Sequence, residues 1–157
     1  MRVRVLAFDP GYERMGVAVL EKNKKDELLP SDCVRTSAAL PFDERLRIVG
    51  EAAEALIKRW DPDAVALEDV YFEKNAKTAM QVAGVVGVLS FVAAKADLPL
   101  YRYTPMQVKV ATTGSGTAGK RAIASMVPRL LSLPQGKRLD DELDAIAVGI
   151  TCLASIR

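Results

Sequence analysis

Histidine is absent from all 157 residues. That removes serine–histidine–aspartate and cysteine–histidine catalysis, and zinc sites built on imidazole. General-base work must fall to carboxylates, lysines, tyrosines or metal-bound water. Cysteine is scarce: Cys33 and Cys152 lie far apart and share no metal-ligand spacing. Each reads as a small buried residue in a reducing, cytoplasmic setting. Aromatic residues make up only 6% of the chain, so packing must rest on Ala and Val. The apolar stretches are too short and too interrupted for a bilayer, and charges begin at Arg2 and Arg4, so neither a membrane span nor a signal peptide is expected. An excess of one charge is missing too. With 22 basic and 20 acidic side chains the net charge is +2, so any basic surface for nucleic acid must be local.

What is present is a conventional core-forming composition, 50% apolar and 27% charged, in a length that fits one domain, residues 1–157. Arg2 to Phe8 reads as a strand, ended by the turn Asp9-Pro10-Gly11. Met15 to Leu20 reads as a second strand, and about Leu28 to Thr36 as a third, joined by the charged stretch Glu21 to Glu27. Apolar residues at helical spacing predict a helix over Phe42 to Trp60. A short strand, Ala64 to Leu67, then delivers Glu68. A long helix follows over Ala76 to Lys95, and a strand over Leu100 to Tyr103. Thr104 caps a helix running through Val110. After the Gly-, Ser- and Thr-rich loop 112–119 come helices over Lys120 to Leu133, interrupted by Pro128, and over Asp140 to about Ala154. Strands first, then helices alternating with strands, indicate an α/β fold with a mixed sheet and helices on both faces.

Four carboxylates stand out. Asp9 and Glu68 each close a strand. If those strands are parallel neighbours, both acids emerge at one sheet edge, where open α/β sheets place their sites. Asp141 and Asp144 are three apart in the first turn of the last helix and share its face. Taken singly, Asp9 could be a turn residue, and Asp141 and Asp144 could be capping groups. Four acids brought together repel, and a cluster persists where a cation or proton compensates it. Mg²⁺ suits oxygen ligands. Two such ions about 3.5–4 Å apart can stabilise attacking and leaving oxygens in phosphodiester cleavage.

The stretches Phe8-Asp9-Pro10-Gly11-Tyr12-Glu13-Arg14-Met15-Gly16, Leu67-Glu68 with Val70-Tyr71-Phe72 and Asn75, Gly114 to Lys120, and Asp141 to Ala147 resemble, in order and over nearly the whole chain, the RuvC Holliday-junction resolvases of the ribonuclease-H-like nucleases. The resemblance implies a ribonuclease-H-like five-stranded sheet, three antiparallel strands then two parallel, flanked by helices. It implies a homodimer and Mg²⁺-dependent symmetric nicking of four-way DNA junctions, with two ions per site and Mn²⁺ as an alternative. A RuvA–RuvB branch-migration complex is an implied partner. The family's four catalytic, metal-holding acids match Asp9, Glu68, Asp141 and Asp144. Its functional lysines match Lys109 and Lys120, and its junction-centre aromatic matches Tyr71, with Phe72 adjacent as a rival. Asp69 stands where the family commonly has glutamine, and Asp140 sits beside Asp141.

Lys74 and Lys77 after the fourth strand, Lys109, Lys120 and Arg121 around the Gly-rich loop, and Lys137 and Arg138 before the last helix are candidates to hold DNA phosphates. Each alone could equally be a solvated surface charge. The loop 114–119 is not a P-loop, because its lysine spacing is wrong. A projecting Tyr71 or Phe72 could stack on an unpaired base. One site per monomer in a two-fold dimer would match the two equivalent strands of a junction. The small residues Ala79, Ala83, Gly84 and Gly87 mark one helix as either a dimer face or an internal packing face. Two other readings stay open: a related nuclease acting on structured RNA, and a binding module without catalysis.

Overall fold

A run of alternating and then continuous apolar residues makes β1 (Val3–Asp9) the centre of the sheet. In the computed structural model, which describes residues 1–69, 75–134 and 136–156, β1 pairs antiparallel with β2 (Arg14–Lys22), and β2 pairs antiparallel with β3 (Asp26–Arg35). On its other side β1 pairs in parallel with β4 (Ala64–Glu68), which pairs in parallel with β5 (Leu100–Tyr103). The order is β3-β2-β1-β4-β5. This is the mixed five-stranded ribonuclease-H-like sheet expected above, and β1 and β4 are the parallel neighbours that the acidic site requires.

Alternation along the strands sorts side chains onto two faces. Leu6, Phe8, Val65 and Leu67 point to one face. It is covered by α1 (Phe42–Trp60) and α2 (Ala76–Lys95). Val5, Ala7, Ala64 and Ala66 point to the other, which lies under α5 (Asp140–Ser155). Small side chains on β1 and β4 let α5 lie close. Its residues from Ala145 to Leu153 are all buried. Helices α3 (Pro105–Thr113) and α4 (Lys120–Leu130) pack beside α5 on that face.

Several boundaries differ from expectation for local reasons. The hairpin between β2 and β3 is tighter than the charged stretch suggested, because Glu21 pairs with Glu27 and Lys22 with Asp26 in the ladder. Glu21 takes part because Arg4, on the adjacent strand, donates to its Oε2 from Nε at 2.9 Å. Helix α3 runs past Val110 to Gly114, which ends it in a left-handed conformation with φ 78° while its N–H donates to the Val110 carbonyl. Thr112 and Thr113 turn their hydroxyls back onto the carbonyls of Val108 and Lys109, both at 2.7 Å. Helix α4 stops at Leu130 instead of Leu133. Pro128 cannot donate to the helix ladder, and Ser132 adopts a left-handed conformation with φ 51°. By length and composition α2 does reach what a membrane span needs, against the expectation that every apolar stretch is too interrupted. Its Val85, Val86, Leu89 and Val92 are buried against α1 and the sheet. Both cysteines are free. Cys152 is buried as expected, whereas Cys33 is only partly so.

Candidate active site

The register builds the site row by row. Phe8 pairs with Leu67, so the next residues on β1 and β4, Asp9 and Glu68, are neighbours on the α5 face. Asp9 pairs on its other side with Gly16, and Gly16 with Cys33. Glu68 pairs with Tyr103. One row of the sheet therefore reads Cys33, Gly16, Asp9, Glu68, Tyr103, with the two carboxylates in the middle.

Gly16 sets where α5 begins. A Cβ built on Gly16 would stand 1.8 Å from the Asp141 carbonyl oxygen, so only glycine lets the first turn of α5 rest on β2. That contact carries Asp141 and Asp144 over Asp9. The loop after Asp9 is fixed from the opposite face. The buried Arg45 of α1 donates from Nε to Thr36 Oγ1 at 2.9 Å, its guanidinium carbon stands 4.9 Å from the centre of the Tyr12 ring, and Thr36 Oγ1 in turn donates to the Tyr12 carbonyl. Neither Gly16 nor Arg45 was given a role from the sequence. Gly16 lay in the opening motif, and only the strand–helix contact reveals its function.

Capping does not account for Asp141 and Asp144. That task falls to Glu142, whose Oε2 accepts the Leu139 backbone N–H at 3.1 Å and whose Oε1 accepts the Ser31 hydroxyl at 2.9 Å. Asp141 Oδ2 is buried and accepts no hydrogen bond, although Arg14 Nε stands 3.2 Å away as an ion pair.

Burial pushes the Asp9 carboxyl up to about 8, and the charges of Asp144, Glu68 and Asp141 add to that; Lys120 acts against it. Burial, then Asp144, pushes Glu68 up to about 7, opposed by Lys109 and Lys120. Asp144 is also raised, first by burial, with Lys120 again opposing. The four acids thus share one field, and Lys120 faces three of them. No group of three or more acidic or cysteine side chains, among the described residues, closes into a ready ligand sphere. Yet the donor set fits a hard divalent cation: oxygen only, electronegative, with an orphaned buried carboxylate oxygen on Asp141.

Other candidates separate clearly. Lys109 on α3 and Lys120 at the start of α4 border the acids. Arg121 follows Lys120 and is exposed. Lys77 sits exposed on α2, which packs on the opposite face, and it is not among the groups coupled to the acids. Tyr71, Phe72 and Lys74 lie outside the described residues. Asp69 turns away from Glu68 to pair with Arg102 at 3.6 Å, which accounts for the added acid. Asp140 is exposed and adds to the negative field at Asp144. Lys137 and Arg138 line a surface cleft with Leu28 to Ser31 and Glu142.

This sheet, with acids at the ends of β1 and β4 and on the closing helix, defines a ribonuclease-H-like nuclease. Residues 5–152 match the sequence profile of the family described as "Crossover junction endodeoxyribonuclease RuvC", and the chain belongs to that family. Relatives carrying that name include one from Desulfitobacterium hafniense, 43% identical over 93% of this chain and 89% of its own. A Thermosipho melanesiensis relative is 39% identical over 97% of both chains. Thermus thermophilus RuvC, solved in complex with a Holliday junction substrate, superposes with a TM-score of 0.89 at 33% identity, covering 95% of this chain and 92% of that one. The yeast mitochondrial Holliday junction resolvase Ydc2 shares the fold, with a TM-score of 0.66 at 10% identity over 95% of this chain and 78% of its own.

Proposed function

We propose that this chain resolves four-way DNA junctions by symmetric paired nicks in recombination and repair, with Asp9, Glu68, Asp141 and Asp144 as its catalytic carboxylates. The observation that carries this reading is the register that sets Asp9 beside Glu68 beneath the first turn of α5, in a chain whose residues 5–152 match the RuvC family. Burial and the neighbouring acids push the Asp9 carboxyl up to about 8. Such a group is stable when neutral or when a cation stands beside it. The four acids would hold Mg²⁺, as two ions per site, with Mn²⁺ as an alternative. When bound, divalent ions generate a nucleophile from water and steady both oxygens of the displacement.

The chain's own residues supply the rest. Lys120 and Lys109 offset the acids and meet the phosphate that carries the cut, and Arg121 extends that basic edge. Lys74 contributes a further phosphate contact, and Lys77, on the helix of the opposite face, can reach only the DNA outside the cut. Tyr71 or Phe72 stacks at the junction centre.

A two-fold homodimer supplies one site for each of the two equivalent strands. The outer side of α2 supports this role. Met80 and Phe91 are 70% and 65% exposed, and a Cβ on Gly87 would meet nothing, so an open apolar stripe runs along the helix. Gly84 serves internal packing instead: a Cβ there would stand 3.2 Å from the Phe42 ring of α1. A RuvA–RuvB branch-migration complex is the expected cytoplasmic partner, with no membrane association.

Cleavage of a mobile four-way DNA junction and of structured RNA, across Mg²⁺, Mn²⁺ and Ca²⁺, tests the proposal. Paired nicks in the junction with Mg²⁺ or Mn²⁺ support it. Preferential cleavage of RNA would replace it with an RNA-processing role, and tight junction binding without cutting in any metal would replace it with a binding role.

A further inference from the structure

Among the described residues, the lysines coupled to the acids are Lys109 and Lys120. Lys109 stands on α3, which touches β5, and Lys120 opens α4 beside Asp140 and Asp144 of α5. On the β2–β3 side the ladder places Arg14 directly opposite Arg35. Directly paired residues on antiparallel strands share a face, with Cβ atoms about 5 Å apart. That face is the α5 face, because Gly16 and Cys33, two residues along each strand, pair beneath Asp141. Burial and then Asp141 push the Cys33 thiol up, and the charges of Arg35 and Arg14 act against that.

Two like charges opposite each other disfavour the ladder unless an anion lies between them. Arg14 has one, Asp141 at 3.2 Å, but its side chain remains 53% exposed and Asp141 Oδ2 accepts no hydrogen bond from it. Arg35 is exposed and has no ion-pair partner among the described residues. Guanidinium forks suit phosphate oxygens. Their Cα atoms are held opposite each other by the strand ladder, and the exposed side chains extend from that fixed base.

We propose that Arg14 and Arg35 grip a backbone phosphate of the strand being cut, on the side of the acids opposite Lys109 and Lys120. The proposal rests on the nuclease reading, since it needs a nucleic-acid strand to cross the site. A strand held at both flanks keeps its central phosphate over Asp9 and Glu68, whereas a strand held only by the lysines can swing. Arg14 has a second task as the counter-charge of Asp141, so Arg35 is the cleaner probe.

The test is junction binding by the full chain in Ca²⁺, across a salt series, for wild type, Arg35→Ala, Arg14→Ala and Lys24→Ala. Lys24 lies on the hairpin at the far end of the sheet and serves as the control. Neutralising one phosphate-binding cation lowers the slope of log affinity against log salt by about 0.9 for duplex DNA. The expected result is a drop near that size for Arg35→Ala and none for Lys24→Ala. A second measurement locates the grip: methylphosphonates scanned around the cleavage position. In Arg35→Ala one position should cease to matter, and in Lys109→Ala a different one on the other flank. An unchanged salt slope in Arg35→Ala, or insensitivity at the same position in both variants, overturns the proposal. If wild type itself neither binds nor cuts the junction, the nuclease reading has failed instead.

Discussion

Asp9 is the most strongly perturbed carboxyl at the candidate site. Its ordinary value of 3.8 rises to about 8 in the fold, chiefly through burial and then through Asp144, Glu68 and Asp141. A carboxyl whose folded value exceeds its unfolded one stabilises the fold while protonated. That contribution is fully present below about pH 4 and is lost as pH rises toward 8. Glu68 acts in the same direction, from 4.5 to about 7. The metal-free protein should therefore melt at progressively lower temperature from pH 5 to pH 8, and Mg²⁺ should restore more stability at pH 8 than at pH 6. Asp9→Asn mimics the neutral acid. Its metal-free melting temperature at pH 8 should exceed that of wild type by about 3 °C, the shift that roughly 1 kcal/mol gives in a domain of this size. Scanning calorimetry with a chelator measures this, and a variant less stable than wild type at pH 8 would count against the buried acid cluster.

At the scale of elements, the decisive contact is α5 on β2. Gly16→Ala sets a methyl against the Asp141 backbone carbonyl, at 1.8 Å before relaxation, and backbone cannot yield as a side-chain tip can. The helix start must lift, costing about 2–3 kcal/mol and moving Asp141 and Asp144 from their places over Asp9. Junction cleavage should fall at least about 100-fold, the scale of removing one preorganised charge-stabilising group. Gly149→Ala is the matched comparison further along α5. Its methyl would crowd the fully buried Leu20, with Cδ1 at 2.2 Å and Cγ at 3.1 Å. That lowers stability by about 1–3 kcal/mol but leaves the start of α5 in place, so cleavage by the folded protein should stay within a few-fold of wild type. Equal losses in both variants would show that general packing, not the start of α5, matters. Most element boundaries were legible in the sequence because apolar period and punctuation agree, as in α1 between Pro41 and Asp61-Pro62. The pairing of Asp9 with Glu68 could be anticipated from parallel strands alone. The role of Gly16 could not, because a glycine in a strand does not announce which backbone approaches it. Asp141 and Asp144 remained ambiguous with capping until Glu142 was seen to occupy that role.

For the whole molecule, the proposed two-fold dimer would link fold to substrate. The exposed stripe of Met80, Gly87 and Phe91 on α2 lies on the sheet face away from the acids, so a partner there leaves both sites open. Phe91→Glu should shift the protein from dimer to monomer in sedimentation velocity at micromolar concentration. It should also uncouple the two cuts, so that singly nicked junctions accumulate. A variant that stays dimeric would move the interface elsewhere. The packing of α2 was only half legible in the sequence. The small residues of α2 pointed to close approach, but Gly84 spends its space on Phe42 of α1 and Gly87 does not.

The central claim is that four carboxylates on one sheet edge and one helix turn carry metal-dependent cutting of DNA junctions. It is tested most directly by nicking of a synthetic four-way junction in Mg²⁺ by wild type, Asp9→Asn and Glu68→Gln, with binding measured in parallel. The account predicts paired symmetric nicks by wild type, loss of cleavage by at least about 100-fold in both variants, and junction binding retained. Cleavage at the wild-type rate by either variant would contradict it.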